Sequence, residues 1–149
     1  MSDKETLTQA ERGEQMRRMI VGDEYVDHML ATRTPFDTEW QDYLTEQLFG
    51  RTWARGIIDH PTLSMINLAM LAGRGCMEEF EIHFRAALTK TGVPLIKLRE
   101  LLLHISLYCG APIGREAFRI ARKVFAELEI DLSEIDSPAV PVPDRTHSV

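Results

Sequence analysis

The chain has 149 residues, 44% of them hydrophobic, which is the size of one domain with enough apolar side chains for a real core. A formal net charge of −6 argues against general nucleic-acid binding, because no cluster of Lys and Arg residues provides the positive field that phosphates require. The polar amino-terminal residues do not resemble a secretory signal, and no apolar run approaches the ~20 residues of a membrane span, so we expect a cytoplasmic protein without a membrane or nucleic-acid partner.

Apolar residues recur at helical spacing along the chain, without the period-two alternation that is typical of half-buried strands. A first helix is predicted over residues 8–20 and ends at Gly22, after which Asp23 is predicted to cap a short second helix. A third helix is predicted between Pro35 and Gly50. Six of its residues share one face: Phe36, Trp40, Tyr43, Leu44, Gln47 and Leu48. We expect these elements to form an amino-terminal cover.

Four longer helices are predicted in the rest of the chain. Pro61 stands where a first helical turn tolerates proline, and the residues up to Leu71 are apolar almost all round, which predicts a buried helix. Two of the others are predicted over residues 76–90 and 94–108. Gly110 and Pro112 separate these from a last predicted helix, which runs through Ala117 to Leu128. The expected fold is an all-α, single-domain helical bundle of about six to seven helices over residues 1–136, followed by a proline-rich tail over residues 137–149.

Two of the central helices have very little polar surface, which predicts a homo-oligomer that covers them. A tightly packed monomer with those helices at its centre is the alternative. His104 lies among the apolar residues of one of these helices and is predicted to be a core or interface histidine.

No cofactor and no metal ion is expected from the sequence motifs. The glycines do not fit the spacing of a phosphate-binding loop, and the histidines lack the spacing of structural or protease-type zinc ligands. Cys76 and Cys109 are far apart in a chain of reducing-compartment character, so both are expected to remain thiols.

The densest polar group on this apolar scaffold lies between Cys76 and Arg85. Glu79 and His83 are four residues apart, so on a helix they share one face within side-chain reach. A carboxylate in that position orients the imidazole and raises its pKa, which favours an acid/base near neutral pH. The alternative is an exposed pair worth ~0.3–0.5 kcal/mol and without function, and the spacing alone favours that alternative.

Arg51, Trp53 and Arg55 alternate in a predicted loop, where binding residues are concentrated in proteins. Guanidinium groups in such a loop can hold a substrate carboxylate in a bidentate fork. In the alternative, which is the better one from the sequence alone, Trp53 closes the end of the bundle and both arginines face water.

Five short segments stand in an order and spacing that together are specific. They are Gly22-Asp23 with Val26-Asp27, Phe49-Gly50-Arg51-Thr52-Trp53-Ala54-Arg55, Asn67-Leu68-Ala69-Met70-Leu71, Glu79 followed by His83-Phe84-Arg85-Ala86-Ala87-Leu88, and Tyr108-Cys109-Gly110-Ala111-Pro112. In this order, collinear from about residue 11 to residue 128, the chain resembles the carboxymuconolactone decarboxylase family.

The resemblance implies an all-helical fold, a ring-shaped homo-oligomer (a trimer or hexamer) and an active site around the helix that bears His83. It makes His83 the leading candidate for the acid/base and Glu79 the residue that orients it. Candidate substrate-binding residues are Arg51, Trp53, Arg55 and Arg85, the arginines as anchors for a carboxylate. The implied reaction is the cofactor-independent loss of CO2 from a small lactone or carbonyl acid through a dienolate.

The chain departs from the family pattern around the predicted loop. Arg51 replaces an acidic residue, Leu63 replaces an arginine, and Gly56-Ile57 replaces Pro-Gly. We therefore expect a related acid, lactone or polyketide-like carbonyl compound as the substrate. Two alternatives stay open, namely isomerisation, cyclisation or hydrolysis of such a compound, and a non-catalytic oligomeric binding protein.

A more distant similarity is to the alkyl hydroperoxide reductase D-type proteins, which use a CxxC pair followed by a histidine. Cys76 and His83 fit that frame, but Glu79 stands at the second cysteine and Ser64 at the upstream glutamate. A dithiol redox cycle is not expected, because a lone thiol has no resolving partner on this helix.

Overall fold

The computed structural model describes residues 7–135, except for the side chain of Glu134, and shows helices but no strand among them. The seven α-helices are α1 (Gln9–Val21), α2 (Asp23–Thr32), α3 (Thr38–Tyr43), α4 (His60–Gly73), α5 (Met77–Thr89), α6 (Leu95–Tyr108) and α7 (Ala111–Glu127). A π-helical segment (Leu44–Gly50) and two 3-10 turns (Trp53–Arg55 and Ser133–Ile135) complete the described part. The predicted all-α class is confirmed, and the predicted tail over residues 137–149 lies outside the described residues. No helix of the described part combines the length and apolar character that a membrane crossing needs.

Side chains just before α1 and α4 satisfy the free N–H groups of their first turns. The Thr8 hydroxyl accepts the Glu11 backbone N–H at 3.2 Å, and the Glu11 carboxylate accepts the Thr8 backbone N–H at 2.7 Å. At α4 the Asp59 carboxylate accepts the Thr62 backbone N–H at 2.9 Å. These caps explain why both helices begin close to the predicted residues.

The prediction that Asp23 caps α2 is wrong. The capping position belongs to Gly22, whose φ of 92° turns the chain between α1 and α2, and no side chain caps the helix. Asp23 lies in the first turn of α2, and its carboxylate is 3.3 Å from the Arg18 guanidinium. The glycine takes the capping position because the left-handed region strains any other residue.

The predicted third helix is wrong in its second half, which is π-helical. The wider π turn moves the side chains after Tyr43 out of the α-helical register, and Leu48 of the predicted face is exposed. Three residues of that face that precede the π-helical segment are exposed as well: Phe36, Trp40 and Tyr43. The inward positions belong to Phe49 and to Gln41, whose amide oxygen accepts a hydrogen bond from Arg17 at 2.8 Å.

The core has two parts, and α5 contributes to both. The larger cluster lies between α4, α5, α6 and α7 and includes Leu68, Phe80, Phe84, Leu98, Leu102, Ile120 and Val124. The smaller cluster joins α5 to α1 and to the segment after α3, through Ile20, Phe49, Trp53 and Ala86. The amino-terminal layer therefore packs on α5, on a side that the larger cluster leaves free.

The contact between α1 and the π-helical segment is very close. A Cβ atom on Gly13 would lie 2.1 Å from the Thr45 carbonyl oxygen, and one on Gly50 would lie 2.6 Å from the Gln9 carbonyl oxygen. Real Cβ atoms essentially never approach backbone this closely. Two glycines thus allow α1 to lie directly against this segment.

α4 was predicted to be buried, but in the single chain it exposes apolar side chains, among them Ile66 and Met70. On α6, Leu107 is 81% exposed. His104, predicted to be a core or interface residue, is exposed in the chain, and its ring centroid lies 4.5 Å from that of Tyr108. Each helix buries only the face that contacts its neighbours, so the apolar residues on the opposite face are left uncovered. The predicted oligomer stays a prediction.

Candidate active site

A cavity of about 130 Å³ lies between the amino-terminal layer and α5. Its nine lining residues are Arg17, Val21, Tyr25, Leu44, Leu48, Phe49, Glu79, Ile82 and His83. Five of them are aliphatic or phenylalanine, and the polar groups are few, which is the usual composition of a small-molecule site. The volume is below the ~300–1,000 Å³ of most ligand sites, so it suits a small occupant.

The predicted pair, Glu79 and His83, lines this cavity. Both residues belong to α5, where a spacing of four places them on one face. Among the described side chains the two are not joined by a hydrogen bond or an ion pair, so Glu79 acts on His83 through its charge. His83 is half-buried at the cavity, as a catalytic role requires, whereas Glu79 lines the same cavity but is exposed to solvent.

Burial dominates the electrostatics of His83. Loss of hydration lowers the pKa of His83 below the ordinary value, and the negative charge of Glu79 raises it by less. The expectation that Glu79 raises this pKa above the ordinary value is wrong in its net direction, because spacing along a helix does not report burial. The lowered pKa favours the uncharged imidazole, which has one N–H donor and one acceptor nitrogen.

Trp53 packs beside His83. Their rings are nearly parallel, with an interplanar angle of 16° and centroids 6.5 Å apart. The Trp53 side chain is buried and is not among those that line the cavity. Its carbonyl oxygen lies 3.2 Å from Nε2 of His60, which donates the hydrogen bond in the tautomer that carries the proton there. Trp53 therefore lies beside the His83 ring and outside the cavity lining.

The three arginines that were predicted as carboxylate anchors do not line this cavity. Arg51 is exposed, and Arg55 lines a separate cavity of about 320 Å³. Arg85 forms an ion pair with Glu127 of α7, which holds α5 to that helix. The spacing of these arginines in the sequence does not show on which side of the bundle each one lies.

The cation that lines the cavity is Arg17 of α1, which the sequence analysis missed. Its residue is only 4% exposed. The guanidinium donates hydrogen bonds to the Gln41 amide oxygen at 2.8 Å and to the Thr45 hydroxyl at 3.1 Å. Burial lowers the pKa of Arg17, against the weaker opposing effects of Tyr25 and Glu14.

A sequence signal for Arg17 exists. The buried residues of α1 are Gly13, Arg17 and Ile20, which are spaced four and three apart and so form one helix face. An arginine on the inward face of an amphipathic helix is unusual, because Arg is almost never fully buried unless paired.

The residues that thiol redox chemistry or metal binding would need were also located. Cys76 and Cys109 are free thiols, as predicted. Ser64 is buried, with its hydroxyl 2.7 Å from that of Thr91. Within residues 7–135 no three His, Cys, Asp or Glu side chains are grouped so that they could hold a metal ion.

Comparison with known proteins identifies the family. Residues 38–123, which include Glu79 and His83, match the carboxymuconolactone decarboxylase family. This chain belongs to the carboxymuconolactone decarboxylase family. The resemblance noted in the sequence is thereby confirmed, and Arg17 lies before the matched segment of this family member.

Two relatives are similar to this family member over most of their length. One is a nitrosuccinic acid decarboxylase of Metarhizium robertsii, 31% identical over 128 residues that cover 86% of this chain and 88% of that protein. The other is a 4-carboxymuconolactone decarboxylase of Acinetobacter baylyi, 31% identical over 130 residues that cover 87% of this chain and 94% of that protein. The two relatives carry the names of different substrates, so family membership alone does not identify the substrate of this chain.

Proposed function

We propose that the chain is a cofactor-independent decarboxylase of a small organic acid, which reacts in the cavity lined by Glu79 and His83. The observation that carries the proposal is a desolvated histidine, with a carboxylate on the same helix face, in a cavity of mostly apolar wall. The two relatives support the reaction class, because both are named as decarboxylases.

The electrons released by decarboxylation require a sink. When the bond between the carboxylate and its carbon breaks, CO2 leaves and the electron pair stays on the carbon. A nitro group or an unsaturated lactone attached to that carbon accepts this pair, as the names of the two relatives' substrates suggest. The substrate then provides the sink that a cofactor supplies in other decarboxylases. The protein has to bind the acid, stabilise the developing negative charge and supply a proton.

We assign the last two tasks to His83. An uncharged imidazole can donate its N–H to the oxygen on which negative charge develops, and a largely apolar wall strengthens that interaction. A proton from water then passes through His83 to the carbon that lost CO2. Glu79 stabilises the transient imidazolium, because its negative charge favours the protonated form.

The proposal is tested by incubating the purified chain with 4-carboxymuconolactone and, separately, with nitrosuccinic acid, while substrate loss and CO2 release are followed together. With the accepted acid, His83→Ala is expected to lower turnover by roughly 10²–10⁴-fold, because proton transfer by a positioned side chain contributes about that much. His28→Ala, at an exposed position on α2, is the matched control and should keep the wild-type rate.

Two results would contradict the proposal. A folded His83→Ala protein that retains more than about a tenth of the wild-type rate would remove His83 from proton transfer. Consumption of the acid without release of CO2 would replace decarboxylation by isomerisation, cyclisation or hydrolysis.

We also expect the protein to act as a homo-oligomer, a trimer or hexamer. The support is the apolar surface that α4 and α6 leave uncovered in the single chain, including Ile66, Met70, Leu103 and Leu107. Exposed apolar patches of this kind are typical of contact surfaces between subunits.

A further inference from the structure

We infer that Arg17 binds the acidic group that the substrate keeps during the reaction. A dicarboxylic acid, such as the nitrosuccinic acid in the name of one relative, has one group for Arg17 and one that is lost as CO2 near His83. The inference rests on the proposed decarboxylation and adds a binding residue to it.

Among the described residues no carboxylate lies within ion-pair distance of Arg17, although the charges of Tyr25 and Glu14 partly offset the effect of burial on its pKa. Its described hydrogen bonds go to two neutral groups, the amide of Gln41 and the hydroxyl of Thr45. The neighbouring Arg18 is different, because its guanidinium lies within 3.3 Å of three carboxylates, those of Glu14, Asp23 and Asp27. The Arg17 residue is 4% exposed, and burial of a guanidinium without an ion pair is unfavourable, because neutral hydrogen-bond acceptors compensate only part of the lost hydration.

The geometry of the guanidinium leaves room for an anion. Arg carries five N–H donors in one plane, and the hydrogen bonds to Gln41 and Thr45 use one donor on each terminal nitrogen. These two contacts hold the plane against α3 and the π-helical segment. The other three donors, one on each terminal nitrogen and the Nε–H, have no hydrogen-bond partner among the described residues and are of the type that binds carboxylates.

The charges around Arg17 indicate the side on which the anion binds. Arg17 also lines a neighbouring cavity, but that one carries four carboxylates, those of Glu11, Glu14, Asp42 and Glu46, against one further cation, Arg33. Such a wall repels an anion. The cavity with His83 contains one carboxylate, that of Glu79. A dianion therefore enters the His83 cavity, where Arg17 supplies the positive charge.

The test uses succinate, a dicarboxylate without an electron sink, as a binding probe, with the uncharged succinamide as its counterpart. Calorimetry on the full chain is expected to show that succinate binds and succinamide does not. Arg17→Gln should weaken succinate binding roughly 10- to 100-fold, because a charge-assisted hydrogen-bond pair is lost. Arg17→Lys keeps the charge without the planar fork and should fall between Arg17→Gln and wild type.

The matched control is Arg12→Gln, because Arg12 is exposed on α1 and does not line the cavity of His83. It should bind succinate as wild type does. With the accepted acid, the Arg17 variants should raise KM more than they lower kcat, since uniform binding is lost. A purely structural role of Arg17 would not produce this split.

The outcomes separate this inference from the proposed function. Two results would overturn the inference. In the first, the Arg17→Lys and Arg17→Gln proteins fold, as judged by circular dichroism, and bind succinate within twofold of wild type. In the second, the wild-type protein binds succinate and succinamide equally. Where Arg17→Gln does not fold, Arg17→Lys decides. His83→Ala should bind succinate normally, so loss of turnover with retained, Arg17-dependent binding supports the anion site. If no acid releases CO2 while that binding persists, the decarboxylase proposal fails and the site stands.

Discussion

His83 is subject to two opposing influences, and their balance decides its protonation state. The carboxylate of Glu79 favours the charged imidazolium, whereas the apolar wall of the cavity disfavours it more strongly. A neutral imidazole suits the first half of the proposed reaction, in which an N–H donor meets a developing oxyanion. The nearby carboxylate suits the second half, in which the imidazole is transiently protonated.

The lowered pKa of His83 predicts a pH dependence of stability. Below the ordinary value of 6.5 the unfolded chain binds a proton at this residue more readily than the folded chain does, so stability decreases as the pH falls through that value. His83→Gln, which stays neutral, removes this contribution. Urea unfolding between about pH 7.5 and pH 5.5 should show a smaller loss of unfolding free energy for His83→Gln than for wild type. Equal losses would show that the folded and unfolded chains bind this proton alike.

Arg17 and Arg18 are adjacent in sequence and have opposite environments. Arg18 points toward solvent and pairs with carboxylates of α1 and α2, whereas Arg17 is buried against α3 and the π-helical segment. Consecutive residues of a helix point about 100° apart, so one neighbour faces the core while the other faces water. The register of the helix, and not the residue type, makes Arg17 the candidate anchor.

At the scale of the elements, the close contact between α1 and the π-helical segment forms one wall of the cavity. The segment supplies Leu44, Leu48 and Phe49 to the lining, and α1 supplies Arg17 and Val21. π-helical turns are rare and are frequently found at functional sites, because they redirect side chains. The π-helical segment of this chain follows this pattern, because it lines the candidate active site.

The glycine at position 13 is expected to be essential for this contact. In Gly13→Ala the new Cβ would lie 2.1 Å from the Thr45 carbonyl oxygen, and backbone atoms on both sides would have to move. The expected loss of unfolding free energy is about 1–3 kcal/mol, as for other overpacked sites, and chemical denaturation measures it.

Gly73→Ala provides the matched control for Gly13→Ala. The new Cβ atom at position 73 would lie 3.8 Å from the Cys109 sulfur, which is an ordinary contact. The free energy of unfolding should therefore be unchanged or raised by about 0.5–1 kcal/mol. Equal effects of the two substitutions would show that the α1 contact is not tight.

At the scale of the whole molecule, α5 connects two layers. Its Phe80 and Phe84 belong to the four-helix core, while Ala86 belongs to the smaller cluster with α1. Glu79 and His83 lie on the part of α5 that faces the amino-terminal layer. The site is therefore completed only when this layer is docked on the bundle.

Assembly is the second property of the whole molecule that can be tested. Light scattering coupled to size exclusion should give a native mass of three or six times the 17.0 kDa of the chain. Leu107→Glu adds a charge at an 81% exposed apolar position on α6 and should reduce that mass. Gln15→Glu, at an exposed position on α1, should not change it. A wild-type monomer would contradict the expectation.

The sequence by itself was sufficient for the helical class, for most helix ends and for the family. These features depend on local properties, namely apolar periodicity, glycine and proline positions, and the order of short segments. The pair Glu79 and His83 could also be predicted, because both residues lie on one helix and their separation follows from helix geometry.

Only the tertiary structure decided which charged groups meet around a cavity. Arg17 lies far from His83 in sequence, and the two share a cavity because α1, α2, the π-helical segment and α5 pack together. Burial likewise reversed the expected pKa shift of His83. The packing of the helices placed Arg51, Arg55 and Arg85 outside the cavity lining. Desolvation and long-range proximity depend on how helices pack, and no local pattern in the sequence records that packing.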